Sequence, residues 1–136
     1  MDLFETIQKL AAVPAVSGFE HAAGRRAALL LERYADAVQI DALGNVLGVR
    51  HAARPGGGCI LLDAHIDEIG MIVTGYAGDF LRFETVGGVD PRMLPAREVR
   101  VLTDPPMRGV ITCLPPHVQT AEEMERAIPK DKLYID

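Results

Sequence analysis

Basic residues are scarce in this sequence, and they form no cluster. The 136 residues include 14 Lys and Arg against 19 Asp and Glu, so the formal net charge is 14 − 19 = −5. A surface that binds nucleic acid or an anionic membrane needs a stripe of Lys and Arg to neutralise phosphate groups. We therefore expect neither a nucleic-acid partner nor a membrane partner.

Long apolar runs and cysteines are lacking as well. The longest apolar runs, such as residues 27–31, fall far short of the roughly 20 residues that cross a bilayer. The acidic N-terminus lacks the basic region of a secretory signal. Only Cys59 and Cys113 are present, too far apart for a thiolate metal motif and too few for a disulfide scaffold. We predict a soluble cytoplasmic protein in which both thiols are buried.

The first part of the chain carries two helical patterns. Asp2 precedes apolar residues at helical spacing that end before Pro14. Ser17 precedes a second such segment, and Glu20 is in position to complete a capping box with it. The sequence therefore predicts two helices, the second beginning after a Ser17 cap and ending near Ala35.

Strand patterns follow from residue 38 onwards. Runs at 38–40 and 46–49 flank a turn with Gly and Asn, which predicts a hairpin. The continuous apolar run 59–62 predicts a strand buried on both faces, with helices above and below its sheet. Beyond Gly70, short β-type segments alternate with turns, a pattern typical of a small barrel or a sandwich. We place a domain boundary near residues 68–70.

A histidine and three carboxylates follow the predicted buried strand: Asp63, His65, Asp67 and Glu68. Ligands of open α/β sheets bind beyond the carboxyl ends of strands, and alternation along extended backbone puts His65 and Asp67 on one side. A neutral imidazole is a good ligand for Zn or Co, and a carboxylate at its second nitrogen would orient it. The alternative is a structural histidine at a strand end, and the His-x-Asp pattern by itself does not decide between the two.

Residues 64–73 resemble the metal-ligand segment of the glutamyl aminopeptidase family, co-catalytic metallopeptidases also labelled deblocking aminopeptidases or endoglucanases. Further segments resemble the family in the same order along the chain: residues 14–20, 41–45, 87–95, 108–111, 115–117 and 131–136. Because these ordered matches span nearly the whole chain, the resemblance is more specific than a single motif.

The resemblance implies an α/β fold class with a split architecture. Residues 1–68 would be the N-terminal part of an α/β/α metallopeptidase domain, the partial catalytic domain. Residues 69–136 would be a small β-barrel insert domain, also incomplete, that takes part in oligomer contacts and substrate access. Since family members commonly assemble into dimers or dodecamers, we expect a homo-oligomer.

The resemblance also implies a reaction: hydrolysis of N-terminal residues from peptide substrates with two divalent ions, Zn or Co. His65 matches the first metal ligand, and Asp67 matches the catalytic-site carboxylate that orients it. His117 also matches the family, in a loop where we predict a structural or access role.

The family's remaining ligands and its Glu base lie beyond the point equivalent to Asp136. A catalytic zinc site needs three protein ligands, so His65 alone cannot assemble one. We therefore expect an N-terminal portion of an aminopeptidase that is inactive by itself. The alternative is a non-catalytic oligomerising module left from a decayed peptidase.

Overall fold

The computed structural model describes residues 2–54 and 56–136, apart from the side chains of Pro116 and Glu123. The chain divides into two compact units, Met1–Glu68 and Ile69–Asp136. Helices and strands occur in both units, so the protein has a mixed α/β fold.

The first helix, α1 (Leu3–Ala11), forms as the sequence predicts. The side chain of Asp2 accepts a hydrogen bond of 3.0 Å from the backbone N–H of Phe4, one of the donors that a helix leaves unpaired at its start. Glu5 does not reach back to the cap; its carboxylate pairs instead with Lys9 one turn later.

The second helix, α2 (His21–Leu31), differs from the prediction at both ends. Its N-cap residue is Glu20, which makes no side-chain capping bond, so the predicted Ser17 cap is wrong. The Ser17 hydroxyl is bonded to a carboxylate 50 positions further along the chain. The helix ends at Leu31 rather than near Ala35.

The predicted hairpin is confirmed. Strands β1 (Ala37–Ile40) and β2 (Val46–Val49) pair antiparallel along their whole length. The Asp41 side chain accepts hydrogen bonds of 2.9 Å from the backbone N–H groups of both Leu43 and Asn45, which closes the turn. Gly44 supplies the positive φ of +91° that the turn requires.

The predicted buried strand at residues 59–62 is wrong. No strand is assigned there, and the side chains of Ile60, Leu61 and Leu62 are 87%, 85% and 91% exposed. A strand exists only where a neighbour accepts and donates its backbone hydrogen bonds, and within residues 2–54 and 56–136 no segment pairs with this run. The predicted burial of the thiols fails too, because Cys59 is exposed and Cys113 is only half-buried.

The second unit contains a five-stranded antiparallel sheet. Its strands are β3 (Gly70–Ala77), β4 (Phe80–Val86), β5 (Glu98–Val101), β6 (Met107–Thr112) and β7 (Tyr134–Ile135). They follow the order β3-β4-β7-β6-β5, which leaves β3 and β5 at the edges. Short strands beyond Gly70 agree with the predicted β-type pattern. A short helix, α3 (Ala121–Met124), precedes β7.

An apolar cluster forms the core of this second unit. Ile111 is fully buried, and four further side chains are at most 5% exposed: Phe83, Leu94, Leu133 and Ile135. Gly109 lies beside this cluster, where a Cβ atom would come within 2.6 Å of the Ile135 Cγ2 atom. The close approach of β6 and β7 therefore depends on a residue without a side chain. In the part of the chain that is described, no helix is both long and apolar enough to span a bilayer.

Candidate functional site

The structure brings together the two residues singled out in the sequence. The Nδ1 atom of His65 lies 3.0 Å from Oδ1 of Asp67 and 3.0 Å from the Asp67 backbone oxygen. Because both neighbours are hydrogen-bond acceptors, Nδ1 carries the proton and donates it. The lone pair then sits on Nε2, and the His65 side chain is 86% exposed. The ring therefore offers an unprotonated nitrogen to a ligand from outside.

Asp67 is itself held by a second side chain. The Ser17 hydroxyl donates a hydrogen bond of 2.5 Å to Oδ2 of Asp67, which leaves Oδ1 for His65. The hydrogen bond from Ser17 first, and that from His65 second, hold the pKa of Asp67 below its ordinary value. Asp67 is therefore ionised at neutral pH and acts as an acceptor on both sides.

The backbone next to Asp67 is fastened to the same loop. The backbone N–H of Glu68 donates to the carbonyl of Ala15 at 2.8 Å. The Ala15 N–H in turn donates to the Glu68 carboxylate at 3.1 Å. Val16 and Glu68 form an isolated parallel β-bridge. Two segments far apart in sequence, 15–17 and 65–68, are thus joined at several points.

A β-turn presents the Ser17 side chain to Asp67. The Phe19 N–H donates to the Val16 carbonyl at 2.7 Å, and Gly18 has a φ of +90°. This geometry matches a type II turn, which favours glycine at its third position. Glu20 stabilises the turn by accepting a 2.8 Å hydrogen bond from the Gly18 N–H.

Sequence reasoning missed Ser17 as a site residue. The Ser-x-x-Glu pattern indicates a local helix cap, and no local pattern could indicate a partner 50 positions away. In the sequence, the loop that carries Ser17 is indicated only by the resemblance of residues 14–20 to the glutamyl aminopeptidase family.

The remaining candidates are exposed residues. Asp63 lies in the first unit, and His117 lies in the 3₁₀ turn Pro116–Val118 of the second unit. Among the residues described, no group of three or more His, Cys, Asp or Glu side chains could hold a metal ion. His65 has the chemistry of a single metal ligand, an exposed imidazole nitrogen, and the described residues around it add no second and third ligand.

Comparison with known proteins shows the class of protein to which this chain corresponds. Residues 44–136 match the M42 glutamyl aminopeptidase family. The chain belongs to this family, whose peptidases are metal-dependent in general.

Individual relatives agree with this assignment. The lysyl aminopeptidase of Pyrococcus furiosus is 35% identical over 137 residues, covering 98% of this chain and 39% of that protein. The aminopeptidase APDkam598 from the archaeon Desulfurococcus kamchatkensis is 37% identical, with a TM-score of 0.86 over 97% of this chain and 36% of the other. The TET1 peptidase of Pyrococcus horikoshii is 36% identical, with a TM-score of 0.77 over 99% of this chain and 40% of its own. That peptidase is described as assembling into a tetrahedron or a large octahedral shell.

The chain spans about two-fifths of the length of these relatives. It matches their fold over nearly all of its own residues.

Proposed function

We propose that this chain supplies one metal-binding histidine to a metal-dependent aminopeptidase that removes N-terminal residues from peptides. The observation that carries the proposal is the state of His65: Nδ1 is bonded to an ionised carboxylate, and Nε2 is left exposed with its lone pair. Metal-binding histidines commonly donate their second ring N–H to a carboxylate in this way.

The proposed roles follow from these contacts. His65 would hold a divalent ion, Zn²⁺ or Co²⁺, and a pair of such ions supplies Lewis-acid polarisation of the peptide carbonyl and an activated water when bound. Asp67 orients the imidazole ring, fixes its tautomer and raises its basicity. Since a catalytic zinc site needs three protein ligands, we propose that the 136-residue chain is inactive without further donors.

The two units take different parts in this proposal. Residues 1–68 carry the catalytic contribution, and residues 69–136 correspond to the barrel domain that mediates homo-oligomer contacts and substrate access. The shells formed by the Pyrococcus horikoshii peptidase support the part of this proposal that concerns homo-oligomer contacts. The two unpaired cysteines favour the cytoplasm as the location.

A test uses the protein as its native host makes it, purified by an N-terminal tag from the chromosomal gene. We expect hydrolysis of aminoacyl-p-nitroanilides that EDTA abolishes. His65→Ala should lower this activity by more than about 100-fold, since loss of a ligand exceeds the usual effect of losing an outer partner. His51→Ala is the matched control, because that side chain is exposed in a loop.

Intact mass identifies which polypeptide carries the activity. The purified 136-residue chain by itself should show no chelator-sensitive hydrolysis. Full activity in His65→Ala would contradict the ligand role. An inactive natural product of 14.7 kDa would contradict the aminopeptidase proposal as a whole.

A further inference from the structure

We infer that Ser17 is a positioning residue for the proposed metal ligand, because its hydroxyl holds Asp67 in the orientation that fixes the His65 ring. The inference rests on the proposed function for the identity of His65 as a ligand. It assigns to Ser17 a role that it exerts through its hydrogen bond to Asp67. Ser17 is the only serine in the sequence.

The exposure of the pair explains why a third group is needed. The side chains of His65 and Asp67 are 86% and 41% exposed, so packing restrains neither of them strongly. Two exposed side chains joined by a single hydrogen bond lose most of its benefit to side-chain entropy and to competition from water. A carboxylate already held at one oxygen has less freedom to lose when its other oxygen binds the imidazole.

The geometry divides the carboxylate between two donors. Ser17 takes Oδ2 at 2.5 Å, a length typical of a hydroxyl bonded to an ionised carboxylate, and His65 takes Oδ1 at 3.0 Å. Without Ser17, Asp67 could rotate and hydrate, and Nδ1 would keep only the Asp67 backbone oxygen as acceptor. The ring would then populate the other tautomer, in which Nε2 is protonated and cannot bind a metal ion.

The loop itself does not depend on the Ser17 hydroxyl. Segments 15–17 and 65–68 are also joined by the two hydrogen bonds between Ala15 and Glu68. Removal of the hydroxyl should therefore leave the segments together while releasing Asp67. This separation makes the inference testable in the full chain.

The first measurement is the tautomer of His65, by long-range ¹H–¹⁵N NMR, in the ¹⁵N-labelled 136-residue protein. The protein carries Ile60→Ser and Leu62→Ser in every sample, because these exposed apolar side chains promote association. The spectrum is recorded near pH 8.5, where ordinary imidazoles are neutral. We expect His65 to be mainly the Nδ1–H form. In Ser17→Ala the fraction of the Nε2–H form should rise severalfold, and Ser17→Thr, which keeps a hydroxyl, should restore most of the Nδ1–H form.

A matched control removes a hydroxyl elsewhere. Thr103 donates to the Pro105 carbonyl at 2.7 Å in the second unit, so Thr103→Ala loses a comparable hydrogen bond without contact to His65. Its His65 spectrum should equal that of the unchanged protein. If Ser17→Ala shifts amide signals throughout the first unit, Ser17→Cys replaces it, because it keeps the side-chain shape with a weaker donor.

The second measurement is a titration with Zn²⁺ alone, followed on the His65 ring signals. We expect the apparent affinity at His65 to fall about threefold to tenfold in Ser17→Ala, less than the 10–100-fold typical of a group that contacts the ligand directly. An unchanged tautomer together with an unchanged affinity would overturn the role of Ser17 and leave the proposed function intact. If Zn²⁺ leaves His65 unaffected in both proteins while the tautomer changes, the positioning role is supported and the metal-ligand role fails.

Discussion

The two units of this protein bury their apolar residues to very different extents. The second unit encloses a cluster of five side chains that are at most 5% exposed: Phe83, Leu94, Ile111, Leu133 and Ile135. In the described part of the first unit the only buried apolar side chains are those of Ala15 and Ala23. Ile60, Leu61 and Leu62 there are each at least 85% exposed.

The difference shows that a segment with an apolar strand pattern forms a strand only where a partner strand lies beside it. In the second unit, hairpin turns bring β3 beside β4 and β5 beside β6, and β7 completes the sheet between them. Antiparallel neighbours of this kind need only a short connection. Residues 59–62 have an equally apolar pattern, but no such neighbour occurs among residues 2–54 and 56–136, so their side chains are exposed.

The largest expected effect tests whether this exposed run attracts other molecules. Exposed apolar segments with unpaired backbone groups promote association. We therefore expect the 136-residue chain to form large, concentration-dependent species in sedimentation velocity. The double substitution Ile60→Ser and Leu62→Ser should lower their amount severalfold.

The control for this experiment lies in the second unit. Leu102 and Met107 are also exposed, at 57% and 61%, but lie in or beside a paired sheet. Leu102→Ser with Met107→Ser should leave the large species almost unchanged. A chain that stays monomeric at high concentration and unfolds cooperatively would contradict the prediction.

A matched pair of isoleucine substitutions compares the two units directly. Ile111→Ala removes a fully buried side chain from the second unit and should lower the free energy of unfolding by about 2–5 kcal/mol. Ile60→Ala removes a side chain that is 87% exposed and should change it by less than about 0.5 kcal/mol. Urea unfolding measures both values. A loss at Ile60 as large as that at Ile111 would show that residue 60 is covered in solution.

Local patterns predicted most of the fold. Asp2 as the cap of α1, the hairpin closed by Asp41 and the β-type segments of the second unit all depend on contacts between residues close in sequence, or on the period of the side chains. These features need no knowledge of distant partners.

The wrong predictions concern segments whose structure depends on partners that are distant in sequence. The predicted strand at 59–62 failed because its pattern contains no information on whether a neighbour is present. The Ser17 cap failed because the hydroxyl binds Asp67, 50 positions away, and the helix has Glu20 as its N-cap residue instead. For the candidate site, alternation along the chain predicted that His65 and Asp67 share one side, but not the loop that holds Asp67.

The smallest expected effect compares one turn carboxylate from each unit. In the second unit, Arg92 donates to both oxygens of Asp90 and lowers the pKa of Asp90 to about 2. In the first unit, the Asn45 side chain lowers the pKa of Asp41, also below its ordinary value. Both groups are exposed in turns and also accept backbone hydrogen bonds, and their largest difference is a cationic partner for Asp90 against an amide partner for Asp41.

The direction of the pH dependence follows from these pKa values. Because each folded pKa lies below the unfolded value of about 3.9, the stability that each contributes is present above that pH and is lost as the pH falls through the folded pKa. For Asp90 that loss should extend down to about pH 2.

Carboxyl ¹³C shifts followed by NMR in acid should give a lower titration midpoint for Asp90 than for Asp41, because a guanidinium favours the ionised form more than an amide does. Asp90→Asn should lower the free energy of unfolding at neutral pH, and its difference from the unchanged protein should vanish below the Asp90 midpoint. A midpoint for Asp90 near the ordinary aspartate value would show that Arg92 does not hold this carboxylate in solution.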